Sequence, residues 1–313
     1  MISEVLYLLL SLALLVFSGH ILVRSLSHIS NFLRISQFSA AFIFMAFSTS
    51  IPELFVGISS AMQGIPEISL GNVIGSNIAN ITLVAGLGSL IAGGMPLESK
   101  TLKRDSLYML LVSIIPMILM TVGGVLSRID GILLIFVYIG YNWILVKEGR
   151  HFSKNLVNRE SKLEVVVAPA VFVIALVILF ISSIWAVHWA GIVASGLGIS
   201  NLVVGLVLIA LGTSLPELSF TISSLLHKKG ELSLGNLIGS VIANSTLILG
   251  VTSIITPIKG MSLILLLSTG FMIFSLFLFS TFVERADKFT RKEGLSLLLL
   301  YILFVVVQVY LPA

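Results

Sequence analysis

Long apolar runs alternate with short polar interruptions along this chain. Ten runs reach spanning length, at roughly 3–23, 38–62, 68–93, 106–126, 130–147, 165–188, 200–226, 232–257, 261–282 and 294–311. A helix needs about 20 apolar residues to cross the hydrocarbon core of a bilayer. The pattern therefore predicts an all-α polytopic membrane protein with ten transmembrane helices. The longest polar stretch, 147–164, separates five runs from five. The expected division is a first five-helix repeat over 1–147, a linker over 148–164 and a second five-helix repeat over 165–313.

Composition agrees with this class: 57% of residues are hydrophobic, 10% are charged, and the mean hydropathy is +1.13. There is no cysteine, which excludes disulfides and thiolate metal sites. Glu4 precedes the first apolar run, and no basic segment does, so the run is expected to be a retained span and not a signal peptide. The net charge of +4 is explained by orientation, and no nucleic-acid signal is present. Of the 18 Lys and Arg residues, 16 fall in the odd-numbered loops and only Arg128 and Lys259 in the even ones. The positive-inside rule then puts the odd loops and the 148–164 linker in the cytoplasm and both termini outside. Because five is odd, the second half enters the membrane in the opposite sense, so the two repeats are expected to be inverted.

The halves are also related in sequence. At a constant offset of 164, residues 46–88 align with 210–252 without a gap, and 23 of the 43 positions are identical. The repeat segments extend over about 38–93 and 200–257. Each copy carries one glutamate within an apolar run, Glu53 or Glu217. An ionisable group at membrane depth is costly and points to function. A pair related by an internal repeat points to a transporter with a cation site between the repeats.

The first motif reads Ser48-Thr49-Ser50-Ile51-Pro52-Glu53 and Gly212-Thr213-Ser214-Leu215-Pro216-Glu217. Proline removes a backbone donor, so carbonyls before it lose their helical partners. Broken backbone at membrane depth is tolerated only where protein buries it or it lines a cavity. The glutamate after the proline falls in the first turn of the next half-helix, where the dipole favours a carboxylate. Carboxylate, hydroxyl and carbonyl oxygens within one turn suit a hard cation such as Ca²⁺ or Na⁺. The competing reading is a structural proline kink, which does not explain a repeated buried glutamate.

The second motif is Gly71-Asn72-Val73-Ile74-Gly75-Ser76-Asn77-Ile78-Ala79-Asn80, echoed over 235–244. Its small residues recur every four positions and allow close helix contact. Asn72, Ser76 and Asn80 form a polar stripe beside them, as do Asn236, Ser240 and Asn244. The stripe serves as interhelical glue, as cation ligands, or as both. The five histidines map to loops and span ends and do not recur at the offset. Glu67 and Glu231 recur, but their helix-start position accounts for them. Trp143, Trp185 and Trp189 read as interfacial anchors.

With both motifs duplicated, the chain resembles the cation/calcium exchanger family, in its sodium/calcium exchanger branch. The resemblance spans the ten-span layout as well. It implies Ca²⁺ bound between Glu53 and Glu217, with Thr49 and Thr213 backbone oxygens completing the shell. It implies sodium sites at Ser50, Ser214, Ser76, Ser240 and the carbonyls of Ala46 and Ala210, with Asn80 and Asn244 at the centre. Spans one and six are expected to slide against the core. The first copy departs from the family pattern with Ser48 where glycine is usual. Asn244 resembles the potassium-independent pattern; relatives that need potassium carry aspartate there.

Two ionised glutamates give the site about −2, which one Ca²⁺ or two Na⁺ would neutralise. The residues do not choose between two and three sodium ions, whereas the resemblance favours electrogenic three-for-one exchange. A proton/calcium antiporter of the same superfamily and a carboxylate-lined cation channel remain as alternatives. An enzyme is not expected, since the spans carry no Asp pair, Ser/His pair or HExxH motif. No cofactor is expected. The expected partners are Na⁺ and Ca²⁺ as substrates and the lipid bilayer, with no obligate protein partner, and the expected location is a prokaryotic plasma membrane.

Overall fold

The computed structural model of the protein describes residues 2–32, 45–97, 100–149, 162–226, 229–260, 262–285 and 288–310. The start of the expected second span, most of the expected linker, His151, His227 and the loop charges Arg34, Arg150, Lys154, Arg159 and Lys228 lie outside the described residues.

The described chain is almost wholly helical. In order, the helices are α1 (Ile2–Phe32), α2 (Ile51–Met62), α3 (Glu67–Ala92), α4 (Lys100–Gly123), α5 (Arg128–Gly149), α6 (Lys162–Leu197), α7 (201–213), α8 (Leu215–Leu226), α9 (Gly230–Ile255), α10 (Leu263–Arg285) and α11 (Arg291–Tyr310). A helical turn over 45–49 leads into α2. Among the described residues, eight stretches are long and apolar enough to cross a membrane: Ile2–Leu22, Glu67–Ala92, Thr101–Gly123, Arg128–Lys147, Val167–Leu197, Asn201–Leu226, Gly230–Ile255 and Leu263–Arg285. The apolar α2 is shorter, and α11 opens on Arg291, Lys292 and Glu293. These data establish a polytopic membrane protein.

α6 runs nine residues past the expected end of its span. It stops where Gly198 takes φ +68° and Ser200 caps α7, its side chain accepting from the Val203 amide.

The helices sort by how much neighbours cover them. The apolar windows of α3 and α9 are each 78% buried, against 22% in α5 and 33% in α6. The two helices carrying the Gly/Asn/Ser motif are thus the centre of the molecule. Large apolar side chains on the outer helices, among them Leu10, Phe136, Trp143 and Val177, are exposed, as contact with lipid tails requires. α1 and α6 pack along one another, and α4 packs on α10.

Small residues set the central contact. A Cβ on Gly71 would stand 2.2 Å from the Leu202 carbonyl oxygen, and one on Gly75 would stand 2.1 Å from that of Leu206. α3 and α7 therefore touch backbone to backbone, as a small-xxx-small stripe permits.

Among the described residues, two antiparallel strand pairs complete the fold. β1 (Met95–Pro96) pairs with β4 (Lys288–Phe289), and β2 (Val125–Leu126) pairs with β3 (Ile258–Lys259). Moving β1 along by 164 residues brings it within one residue of β3, and the same step takes β2 onto β4 to within one residue. The repeat relation thus exchanges the two pairs.

Candidate cation site

Both proline segments break their helices at equivalent places. Ser50 (φ −86°, ψ 2°) precedes α2, and Ser214 (φ −81°, ψ −1°) separates α7 from α8. Pro52 and Pro216 occupy the first turns of α2 and α8, and Glu53 and Glu217 follow directly. Neither proline has an N–H to continue the helical ladder. Each carboxylate thus stands at the positive end of a twelve-residue half-helix.

Both glutamates are fully buried, and none of their four carboxylate oxygens has a hydrogen-bond partner in the protein. Glu53 lies within electrostatic reach of Glu217, with Thr213 and Ser76 as polar neighbours. Glu217 has Thr49 and Ser240 in the equivalent positions. Taking an ion out of water costs several kcal/mol even after relaxation. Two adjacent, unpartnered carboxylates are therefore a fitting cradle for a cation.

Hydroxyls and amides from opposite repeats surround them. Thr49 Oγ1 lies 3.1 Å from Ser240 Oγ and 3.4 Å from Asn236 Oδ1. Thr213 Oγ1 lies 3.2 Å from Ser76 Oγ and donates to Asn72 Oδ1 at 3.0 Å. The Ala46 carbonyl accepts from the Ser50 amide at 3.2 Å and has Thr49 Oγ1 at 3.4 Å. The Ala210 carbonyl accepts from the Ser214 amide at 3.0 Å, with Thr213 Oγ1 at 3.4 Å and Ser76 Oγ at 3.5 Å. Several of these separations exceed the 2.7–2.8 Å usual between hydroxyl and oxygen, so the cluster is loosely bonded to itself.

All twelve residues singled out in the sequence are buried. The structure brings Thr49 to Ser240, Thr213 to Ser76, and Ser76 to Ala210. Ser50 Oγ, Ser214 Oγ, both polar atoms of Asn80, and Asn244 Oδ1 are buried without a protein partner. Among the described residues, no group of three or more His, Cys, Asp or Glu could hold a metal. The oxygen set is two acids plus neutral donors, a composition that fits Na⁺ and Ca²⁺ better than Zn²⁺.

Sequence reasoning missed parts of this arrangement. The sequence places Asn72 and Asn236 in the polar stripe; the structure adds that Asn72 Oδ1 accepts from Thr213 at 3.0 Å and that Asn236 Oδ1 lies 3.4 Å from Thr49 Oγ1. Their recurrence at the offset was a usable signal. Asn80–Val84 in α3, Asn244–Ile248 in α9 and Gly205–Ile209 in α7 are π-helical. The first two correspond at the 164 offset, and each begins at a central asparagine. One-turn π segments are frequent at functional sites.

The sodium/calcium exchanger protein family matches residues 3–147 and 167–310. The putative antiporter CaxA of Alkalimonas amylolytica is 33% identical over 264 residues, covering 82% of each chain. The sodium/calcium exchanger MaX1 of Methanosarcina acetivorans is 32% identical over 346 aligned positions, covering 98% of each. A solved structure of the sodium-calcium exchanger NCX_Mj, soaked with Na⁺ and Sr²⁺, has a TM-score of 0.70 at 30% identity, covering 100% of this chain and 99% of the other. With both repeats matched and likeness running almost end to end, the chain belongs to the sodium/calcium exchanger family of membrane antiporters, and it is not an enzyme.

Proposed function

We propose that this protein exchanges Na⁺ for Ca²⁺ across the membrane by alternating access, with three Na⁺ moving against one Ca²⁺ and without a requirement for K⁺. The observation that carries the reading is the pair of buried carboxylates, each without a protein partner, opening two broken helices within reach of each other. Ca²⁺ would lie between Glu53 and Glu217, completed by Thr49 and Thr213. Na⁺ would use Ser50, Ser214, Ser76, Ser240, Ala46 and Ala210, with Asn80 and Asn244 at the centre.

Competition for these oxygens supplies the coupling. An unoccupied pair of carboxylates at about −2 would face a large desolvation cost, so the transporter moves only when ions occupy it. The loose hydroxyl contacts leave the oxygens free to tighten around a cation of either kind.

The same reading takes the chain as ten spans with both termini outside. It has two inverted five-helix repeats, over 1–147 and 165–313, joined by a cytoplasmic linker over 148–164. The exchange of the two strand pairs under the 164 offset supports that symmetry. The proposed location is a prokaryotic plasma membrane, with no obligate protein partner.

Calcium-45 uptake into proteoliposomes tests the function. Vesicles loaded with Na⁺ should accumulate calcium, and vesicles loaded with K⁺ or choline should not. The two carboxylates could equally carry protons, so a pH gradient without Na⁺ forms a further arm. Uptake in that arm alone would replace sodium coupling with proton coupling.

A further inference from the structure

The two central asparagines are equivalent in sequence but not in their surroundings. Asn244 Nδ2 donates to Asn77 Oδ1 at 3.1 Å. Asn77 Nδ2 in turn donates to Ser245 Oγ at 2.9 Å and points at Met272 Sδ, 3.6 Å away. Ser245 Oγ donates to Ser113 Oγ at 3.1 Å. This buried chain ties α3, α9, α10 and α4 together.

The chain has a direction, and Met272 sets it. A thioether sulfur accepts but never donates, so the end of the Asn77 amide that faces it must be the NH₂. Asn77 then turns its oxygen to Asn244. Asn244 must answer with its own NH₂, which leaves Asn244 Oδ1 on the other side. That oxygen is buried and has no partner in the protein. Reversing the chain would turn the Asn244 NH₂ that way, and an NH₂ repels a cation.

The other repeat has no such device. At the 164 offset, Asn77 corresponds to Val241, Ser245 to Ile81 and Met272 to Tyr108. Asn80, the mate of Asn244, has neither its oxygen nor its nitrogen bonded within the protein. One central amide is held in a fixed sense, and its mate has no protein partner to orient it.

We infer that Asn77, braced by Ser245 and Met272, is a positioning residue that holds the Asn244 side-chain oxygen toward the transported cation. The inference rests on the proposed placement of Asn244 in the cation site. Partners that orient a metal ligand typically contribute about 10- to 100-fold in affinity.

The test is a double-mutant cycle in proteoliposomes, reading half-saturating Ca²⁺, half-saturating Na⁺ and maximal rate for Asn77→Val, Asn244→Ala and the pair. Valine already occupies the equivalent position of the second repeat, and near-isosteric Asn77→Leu substitutes if that variant fails to fold. The ion whose affinity falls in Asn244→Ala should lose about tenfold in Asn77→Val as well, with less change in maximal rate. The double variant should match Asn244→Ala alone. An unshifted Asn77→Val beside a shifted Asn244→Ala would overturn the inference, as would penalties that add in the double variant. An Asn244→Ala variant with both affinities unchanged would remove Asn244 from the site, and the inference would fall with it.

Discussion

In the proposed site, Glu53 and Glu217 set the charge that the transported ions meet. Asn244 matters for the same reason, because it is neutral where an acid would add a third charge. Asn244→Asp should take the site from about −2 to about −3 and make uptake depend on an additional monovalent cation. Calcium-45 uptake measured with and without K⁺ should therefore show stimulation in the variant and none in the parent; indifference in both would contradict this. Most of the proposed site was legible in the sequence because the repeat prints each ligand twice at one offset. Asn77 was not, since the repeat breaks there and only its contacts with Asn244, Ser245 and Met272 give it meaning.

The eight spanning stretches among the described residues were legible from apolar run length, and the helix breaks from Pro52 and Pro216. The π-helical segments were not, because one widened turn leaves the apolar pattern of a buried helix unchanged. The strand pairs, two residues a strand, are too short for any alternation to show. The small-residue stripe was legible as a contact, but the helix it touches was not. Gly75→Ala tests that contact, since its Cβ would sit 2.1 Å from the Leu206 carbonyl oxygen and 2.7 Å from Ala210 Cβ. Overpacking of this kind costs about 1–3 kcal/mol, so the melting temperature of the detergent-solubilised protein should fall. Gly140→Ala is the control, because nothing stands within 4 Å of its added Cβ. Equal melting temperatures for the two variants would refute a tight α3–α7 contact.

For the whole molecule, exchange of three Na⁺ for one Ca²⁺ moves one net charge per cycle. Moving that charge across the membrane is worth about 2.3 kcal/mol per 100 mV. In Na⁺-loaded vesicles, an inside-positive potential should increase calcium accumulation and an inside-negative one should decrease it. Accumulation indifferent to potential would instead indicate two Na⁺ per Ca²⁺. Orientation was read from the loop charges, and several of those residues lie outside the described chain. The central claim is that the two repeat glutamates together form the transport site. Sodium-driven calcium-45 uptake by Glu53→Gln and by Glu217→Gln, each compared with the parent protein, tests it most directly. Glutamine keeps the shape of the side chain and removes its charge, so uptake should be abolished in both. Robust uptake by either variant would contradict the assignment.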